Sequence, residues 1–544
     1  MRIYQTVSCL ALLIVSCNLC LADTGGVFGE VGMEGDWLTV GGEKFLVVGI
    51  GYEIGCRPGR VPWARDFQPD LLHADFKRIK AAGFNTLRTW APMTDEELQV
   101  AAEYGLWVIQ GIWYDSKGAF GDPAFQEKTL SFVREEITRS AKHPNILFYL
   151  VGNEPHGDAV YKAGREAVND FYRKLVATSR EADPQRLFTY ANCVFADFMV
   201  PEMWDLTAHN AYPYSPVTIE KTLGYRGYLQ TIKEQHAPGK PLVVTEFGLS
   251  VSEKGDGRGY GGNTLDVQRD GVVALWEDVL SVGAAGGCAF MWIDGWWKSG
   301  DENVHDNTSE EWYGLLGADD DPVGVPRPVY YALQEYNRAI RTLPVDGGVY
   351  EGRLPVEVWS PKGEVVEARI DEGEWIELDN ERSWWRSELD LAPLSVGMHT
   401  VHTRMKRESG GWSSEKVCHI RVVGAGESDR VGLSVRFQDL PEQWEADTLM
   451  PVAVQVRDGA GAPVAGRQVS VSRFCHTGWS EYETSVKTDA SGLATVDVPT
   501  HPHPGIISLA ASVMSKTPDR NGTGWKQGPY KRHGDYRYVE VVQE

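Results

Sequence analysis

The sequence predicts an α/β chain: a (β/α)8 TIM barrel followed by two small all-β sandwich domains. Three observations carry this prediction. Short apolar runs alternate with helix-period segments between residues 36 and 340, the pattern of a parallel sheet wrapped by helices. After about Thr342 helical periodicity gives way to short alternating segments parted by Gly, Pro and Asp turns. Finally, two of the apolar runs, in "LFYLVGNEPHGD" and "PLVVTEFG", stop at Glu154 and Glu246. A run buried on both faces reads as a parallel strand, and the carboxyl ends of such strands are where barrels keep their chemistry.

The elements follow in order. "GDWLTVGGEKFLVVGIGYE" (Gly35–Glu53) reads as a hairpin around Gly41-Gly42 that runs into strand one at Phe45–Ile50. Leu72, Phe76 and Ile79 lie at helical spacing, with Gly83 as terminator. "NTLRTWAP" is strand two, and the next helix opens on a capping box of Thr94 and Glu97 and closes at Gly105. "LWVIQGIWYD" is strand three, and Asp122-Pro123 starts a helix that ends near His143. The glutamate-bearing "LFYLVGNEPHGD" is strand four. After a helix carrying Val168, Phe171 and Leu175, "RLFTYANC", "DLTAHNAYPY" and "PLVVTEFG" supply strands five to seven. A helix over Val267–Leu280 leads to "GGCAFMWIDGWW", strand eight, and "PRPVYYALQEYNRAI" is the last helix. An open doubly wound sheet is the competing arrangement, but the chain has no Gly-rich nucleotide turn to support it.

The predicted divisions are a leader over residues 1–22, the barrel with its N-terminal hairpin over 23–342, and sandwiches over 343–424 and 430–544. "GAGESD" (Gly424–Asp429) links the two sandwiches. The first resembles immunoglobulin-like or fibronectin-like modules. "VQVRDGAGAPVAGRQVSVS" and "KTDASGLATVDV" in the second resemble the bacterial invasin-type immunoglobulin-like domain. Neither carries a catalytic constellation, so spacing or packing is the expected role.

Composition narrows the function. A net charge of −23 argues against nucleic acid as a partner, because phosphate binding needs basic surface. Nineteen Trp residues point to large cores, aromatic platforms, or both. Arg2, the apolar run Val7–Val15 and "CLA" before Asp23 form a secretory leader too short to span a membrane. "IVSC" (Ile14–Cys17) also fits a bacterial lipobox, which would attach a lipid at Cys17 and is the chain's expected route to a membrane. Free secretion is the favoured reading, with periplasmic or cell-surface placement as the alternative. Past the leader, Cys56, Cys193, Cys288, Cys418 and Cys475 are scattered without C-x-x-C spacing, so buried thiols are expected and no metal site or cofactor. The acidic "ADDDP" turn (Ala318–Pro322) lacks calcium-ligand spacing.

The strand ends hold the candidate site. Arg88 and Trp90 lie in strand two, Trp113 after strand three, and Asn153 and Glu154 at the end of strand four. His209, Asn210, Tyr212 and Tyr214 end strand six, Glu246 ends strand seven, and Trp292, Asp294, Trp296 and Trp297 surround the end of strand eight. Aromatic faces stack on the C–H-rich faces of sugar rings. Two strand-end carboxyls are what glycoside hydrolysis with retention needs, one as acid/base and one as nucleophile. Arg88 and Tyr212 are placed to hold the nucleophile, and Asn153 to bind a sugar hydroxyl. The loop from Asp294 to Val325, with Trp312 and Tyr313, is read as one wall of the cleft.

On these motifs the barrel resembles the clan A retaining glycoside hydrolases over roughly residues 36 to 340. "GNEP" gives Asn153 and the implied acid/base Glu154, and "TEFG" gives the implied nucleophile Glu246. "LRTW" gives Arg88, "HNAY" gives His209 and Tyr212, and "FMW" gives Trp292. One departure is that His209 and Tyr212 stand three apart rather than two, which in a regular strand turns them to opposite faces and favours Tyr212. The resemblance implies an O-glycosyl hydrolase acting on a β-linked polysaccharide or oligosaccharide. An endo-β-glucanase is the leading expectation, with a transglycosylase, a β-mannanase or a β-galactosidase as alternatives within the clan. From another class comes a non-catalytic glycan-binding or adhesion protein.

Overall fold

The structure is a computed structural model that describes residues 28–53, 61–62, 66–200, 202–215, 217–218, 222–255, 257, 259–318, 323–428, 432–477, 480–514 and 532–543. The predicted leader with Cys17, Cys56, and all of "ADDDP" but Ala318 lie outside the described residues.

The eight predicted parallel strands close into a barrel: β1 (Val47–Gly51), β2 (Thr86–Arg88), β3 (Trp107–Ile112), β4 (Ile146–Asn153), β5 (Leu187–Cys193), β6 (Thr207–Asn210), β7 (Leu242–Phe247) and β8 (Gly286–Ala289). Neighbours pair in chain order, and β8 closes the ring on β1 with Gly286 opposite Val47 and Ala289 opposite Ile50. The apolar runs that announced these strands are buried on both faces, because side chains pack inward on each other and outward on the helices. The barrel is thus the fold the alternation predicted.

Helix signals translate directly. Pro69–Ala81 buries Leu72, Phe76 and Ile79. Asp95–Glu103 begins at the Thr94/Glu97 capping box, in which the Thr94 hydroxyl accepts from Glu97 N at 3.3 Å and Glu97 Oε2 accepts from Thr94 N at 2.7 Å. Pro123–Ser140 starts on Asp122, whose carboxylate accepts from Ala124 N at 2.9 Å. Arg165–Ala182 buries Val168, Phe171 and Leu175.

The predicted hairpin proves to be two turns of a three-stranded meander, Val31–Glu34, Trp37–Val40 and Glu43–Phe45. Gly41 and Gly42, at φ 58° and 79°, make the second turn in a conformation that side chains disfavour. Phe28, Val31 and Leu38 pack with Val47, Trp107, Leu147, Leu206 and Ala285, so the meander plugs the end of the barrel where its strands begin. The opposite end is left open.

Two corrections concern the end of the barrel. β8 stops at Ala289, and the chain beyond leaves the sheet as loop. The last helix is only Pro328–Tyr336, because Ile340–Leu343 pairs with Arg353–Trp359 as an edge strand of the first sandwich, which therefore begins slightly before residue 343. That sandwich packs a four-stranded on a five-stranded sheet, and the terminal one, from Leu433 to Val542, a three-stranded on a five-stranded sheet. Cys193, Cys288, Cys418 and Cys475 are buried. Among the described residues no helix is long and apolar enough to cross a membrane, and no cluster of metal-ligating side chains occurs.

Candidate active site

The open end of the barrel holds a cleft of about 850 Å³ with both glutamates in its lining. Their positions follow from how the strands end. β4 finishes in a sharp turn: Gly152 has φ +104°, and Glu154, at φ +48°, occupies left-handed backbone space. That conformation costs a non-glycine residue on the order of 1–3 kcal/mol and persists only where surroundings impose it. Here Glu154 N donates to Ala191 O of β5 at 2.8 Å, which turns the carboxyl into the cleft. β7 shifts register against β6 between Val244 and Glu246, bringing both Thr245 and Glu246 within bonding distance of Asn210.

Four donors converge on Glu246. Its Oε1 receives Arg88 at 2.8 Å, Trp90 Nε1 at 2.9 Å and Asn210 Nδ2 at 2.8 Å, and its Oε2 receives the Tyr212 hydroxyl at 2.7 Å. Such charge-assisted bonds fix a carboxylate's position and orientation. The Arg88 guanidinium stacks over the Trp90 ring, 3.7 Å from its centroid, and also donates to Asn153 Oδ1 at 2.5 Å. Burial and the Glu246 charge push the Tyr212 phenol well above its ordinary range, so it keeps its proton and remains a donor.

Glu154 is in a different environment. Among the described residues, Asn210 Nδ2, at 2.9 Å, is the one hydrogen-bond donor to its carboxyl. Burial first, and the negative charge of Glu246 second, push it up to about 7 from an ordinary 4.5. Asn210 therefore bridges the two carboxyls through one nitrogen. Its orientation is set from behind, since its Oδ1 accepts from Thr245 Oγ1 at 2.7 Å and leaves only the amide protons to face the cleft. With both Oε1 atoms within 3 Å of one nitrogen, the oxygens are less than roughly 6 Å apart. That fits the roughly 5–5.5 Å of a retaining pair better than the roughly 6.5–9.5 Å that leaves room for an inverting enzyme's water.

Of the sequence candidates, the structure brings Arg88, Trp90, Asn153, Glu154, Tyr212 and Glu246 into one hydrogen-bonded assembly, and Trp113 lines the cleft with its side chain half-exposed. Four candidates, Asp294 among them, fall elsewhere. His209 is buried behind β6, with Nε2 2.9 Å from the Tyr228 hydroxyl, and burial pushes it well below the ordinary histidine range. It is a neutral core histidine, on the side of the strand away from Tyr212 that the spacing of three suggested. Trp292 is fully buried against Tyr330, at 6.1 Å between ring centroids, because the chain has already left the sheet at Ala289 and carries this ring outward to the last helix. Trp296 stacks on His305 at 4.8 Å within its own loop, and its neighbour Trp297 takes the place in the cleft lining.

Residues that sequence reasoning passed over include Asn210 as the bridge, Phe290, and Lys298. The Asn210 role had a readable signal, since it shares a face with Tyr212. Glu481, from the terminal sandwich, also lines the cleft and had no signal in the sequence. Asp294 is tied up in a buried pair with Arg327 at 2.5 Å and takes no part in the lining.

Residues 32–280 match the family model described as glycosyl hydrolases family 2, TIM barrel domain. Among curated proteins, the β-glucuronidase of Paenibacillus borealis is 27% identical over 249 residues, covering 41% of this chain and 38% of that protein. The β-glucuronidase of Rattus norvegicus is 24% identical over 201 residues, 34% of this chain and 29% of that protein. The alignments thus span about a third of the length of these curated relatives. Among solved structures, a Bacteroides uniformis β-glucuronidase aligns with TM-score 0.47 and 14% identity over 94% of this chain and 68% of that one. The family match thus falls on the barrel, over residues 32–280, and stops short of the two sandwiches.

Proposed function

We propose that the chain is a retaining β-glycoside hydrolase with Glu154 as acid/base and Glu246 as nucleophile. The observation that carries the reading is the asymmetry of the pair. Glu246 is gripped by four donors, while Glu154, with one, is pushed up to about 7 and holds a proton near neutral pH. A buried carboxyl held protonated beside a second one gripped by hydrogen-bond donors is the mark of an acid and a nucleophile side by side.

In the first step a Glu246 oxygen bonds to the anomeric carbon as the glycosidic C–O bond breaks. Glu154 passes its proton to the departing oxygen, and a glycosyl ester remains on Glu246. Esterification removes the negative charge that helped raise Glu154, so Glu154 becomes a stronger acid and stays deprotonated. It then takes a proton from water as that water attacks the anomeric carbon and the ester bond breaks.

The substrate in this reading is a neutral β-linked glycan, with an endo-β-glucanase as the leading case and β-mannoside or β-galactoside cleavage or transglycosylation as variants. Aromatic rings of Trp90, Trp113, Tyr212, Phe290 and Trp297 offer stacking faces, and Glu53, Glu310 and Glu481 add acceptors for sugar hydroxyls. A β-glucuronoside is the second reading, suggested by the relatives' names and by Lys298, a cation in the lining that could meet a uronate carboxylate. The proposal includes export, free or lipid-anchored at Cys17.

The test is a panel of 4-nitrophenyl β-glucoside, β-mannoside, β-galactoside and β-glucuronide, together with β-glucans and mannan followed by reducing-end detection. Turnover that Glu246→Gln abolishes supports the reading. No turnover on any substrate, with glycan binding retained, would favour the non-catalytic adhesion protein instead.

A further inference from the structure

The cleft is not built by the barrel alone. In the terminal sandwich, strands Gln468–Cys475 and Glu481–Lys487 pair as a hairpin, with Phe474 opposite Glu481, and Glu481 lines the cleft together with Val194 and Phe195 of the loop after β5. The sandwich that carries this hairpin is held on the barrel by a buried network. Asp197 Oδ2 accepts from the Tyr228 hydroxyl of the barrel at 2.8 Å and from the Tyr536 hydroxyl of the sandwich at 2.9 Å, while Tyr538 donates to Asp197 O at 2.9 Å. Phe474, Ile506, Ala510 and Tyr536 join the same apolar core as the barrel helices.

The contact reaches the catalytic loop itself. Gly157 lies three residues after Glu154, and a Cβ there would sit 2.5 Å from Phe195 O and 2.6 Å from His476 O, both backbone atoms. The loop that follows the proposed proton donor is therefore clamped between the β5 loop and the sandwich. A proton donor sits beside the oxygen that leaves, so the β4–β5 side of the cleft is where the leaving group lies, while Glu246 and Phe290 are carried by β7 and the end of β8. Glu481, at the start of the second hairpin strand, stands on that leaving-group side.

We propose that the terminal sandwich completes the leaving-group half of the cleft, with Glu481 as a specificity-determining residue that accepts hydrogen bonds from a neutral, hydroxyl-bearing leaving group and repels an anionic one. This rests on the glycosidase reading above. A carboxylate is an acceptor only, matched to the hydroxyls of a sugar or polyol. It adds a negative charge to a lining that already contains Glu53 and Glu310. At an exposed carboxylate such as Glu481 the repulsion of one anionic group corresponds to roughly a five- to tenfold change in rate. Glu481 is exposed, so its replacement does not disturb the core.

The experiment uses the full chain and aryl β-glycosides of whichever panel sugar it hydrolyses fastest, with 4-carboxyphenyl and 4-carboxamidophenyl leaving groups of matched shape. The ratio of kcat/KM for carboxamide over carboxylate should favour the carboxamide in the wild type. That ratio should fall about five- to tenfold in Glu481→Gln and further in Glu481→Lys, while the preference among sugars at the other end stays fixed. A ratio that stays within twofold across all three proteins overturns the assignment, as does a shift in sugar preference of the same size, which would mark a general disturbance. Wild-type protein that hydrolyses no glycoside overturns the underlying reading, and this proposal with it. Hydrolysis with an unmoved ratio overturns the wall assignment alone.

Discussion

Replacing Glu246 by Gln keeps its shape but removes one negative charge beside Glu154, and the size of the response can be worked out. A unit charge about 5.5 Å away is worth roughly 3 kcal/mol at an effective dielectric of about 20, and under 1 kcal/mol in bulk water. At about 1.4 kcal/mol per pKa unit these bracket a change of roughly 0.5 to 2 units. Burial outranks the Glu246 charge among the causes that push Glu154 up to about 7, and burial survives the substitution. The expected drop is therefore about 1 unit, leaving Glu154 near 6 and still above an ordinary glutamate. Carbon-13 titration of the glutamate carboxyls reads this directly, with the Glu154 signal assigned by its loss in Glu154→Gln. A Glu154 that titrates at the same pH with and without the Glu246 charge would refute the coupling on which the exchange of acid and base roles depends.

Other outcomes follow from the same geometry. Because Glu154 must be protonated to act as an acid, kcat/KM should lose about tenfold per pH unit above about 7 in the wild type, and a pH–rate profile that stays flat to pH 9 would contradict the assignment. Tyr212→Phe removes one of four donors to Glu246, a charge-assisted bond worth about 1.5–3 kcal/mol, and should lower kcat/KM by about 10- to 100-fold without lowering the melting temperature by more than a few degrees. Buried Asp197 is pushed up to about 7, so the folded state binds a proton that the unfolded chain releases near 4. Its stabilising contribution is full below about 4 and is lost as pH rises toward 7, on the order of 4 kcal/mol in all. Asp197→Asn, whose amide oxygen can still accept from Tyr228 and Tyr536, should remove this part of the decline in denaturant titrations run from pH 4 to 8.

The barrel was legible because its strands are buried on both faces and so write themselves as continuous apolar runs, while capping residues such as Thr94, Glu97 and Asp122 mark the helix starts. Glu154 and Glu246 drew notice for a related reason: a lone carboxylate at the end of such a run is more often an ordinary surface glutamate, and it was the pair, with Arg88 and the other strand-end residues around it, that carried the expectation. Trp292 and Trp296 misled because the sequence cannot show where β8 ends: the sheet stops at Ala289, and the rings beyond it are distributed by a loop whose path depends on tertiary contacts. The spacing of His209 against Tyr212 only favoured Tyr212, and the burial of His209 against Tyr228 is what removes it from the site, whereas Asn210 needed the register shift in β7, which brings Thr245 behind its amide and Glu246 in front. Glu481 was invisible for the plainest reason, as it lies 235 positions after the nucleophile candidate and its place in the cleft depends on how a separate domain docks on the barrel.

The central claim is that hydrolysis passes through a covalent ester on Glu246. The most direct measurement is to incubate the enzyme with the 2-deoxy-2-fluoro glycosyl fluoride of its preferred sugar, digest it, and locate the label by tandem mass spectrometry. Stoichiometric inactivation with the fluorosugar mass on the peptide containing Glu246 is the predicted result. A label on any other residue, or products formed with inverted anomeric configuration, would contradict the account.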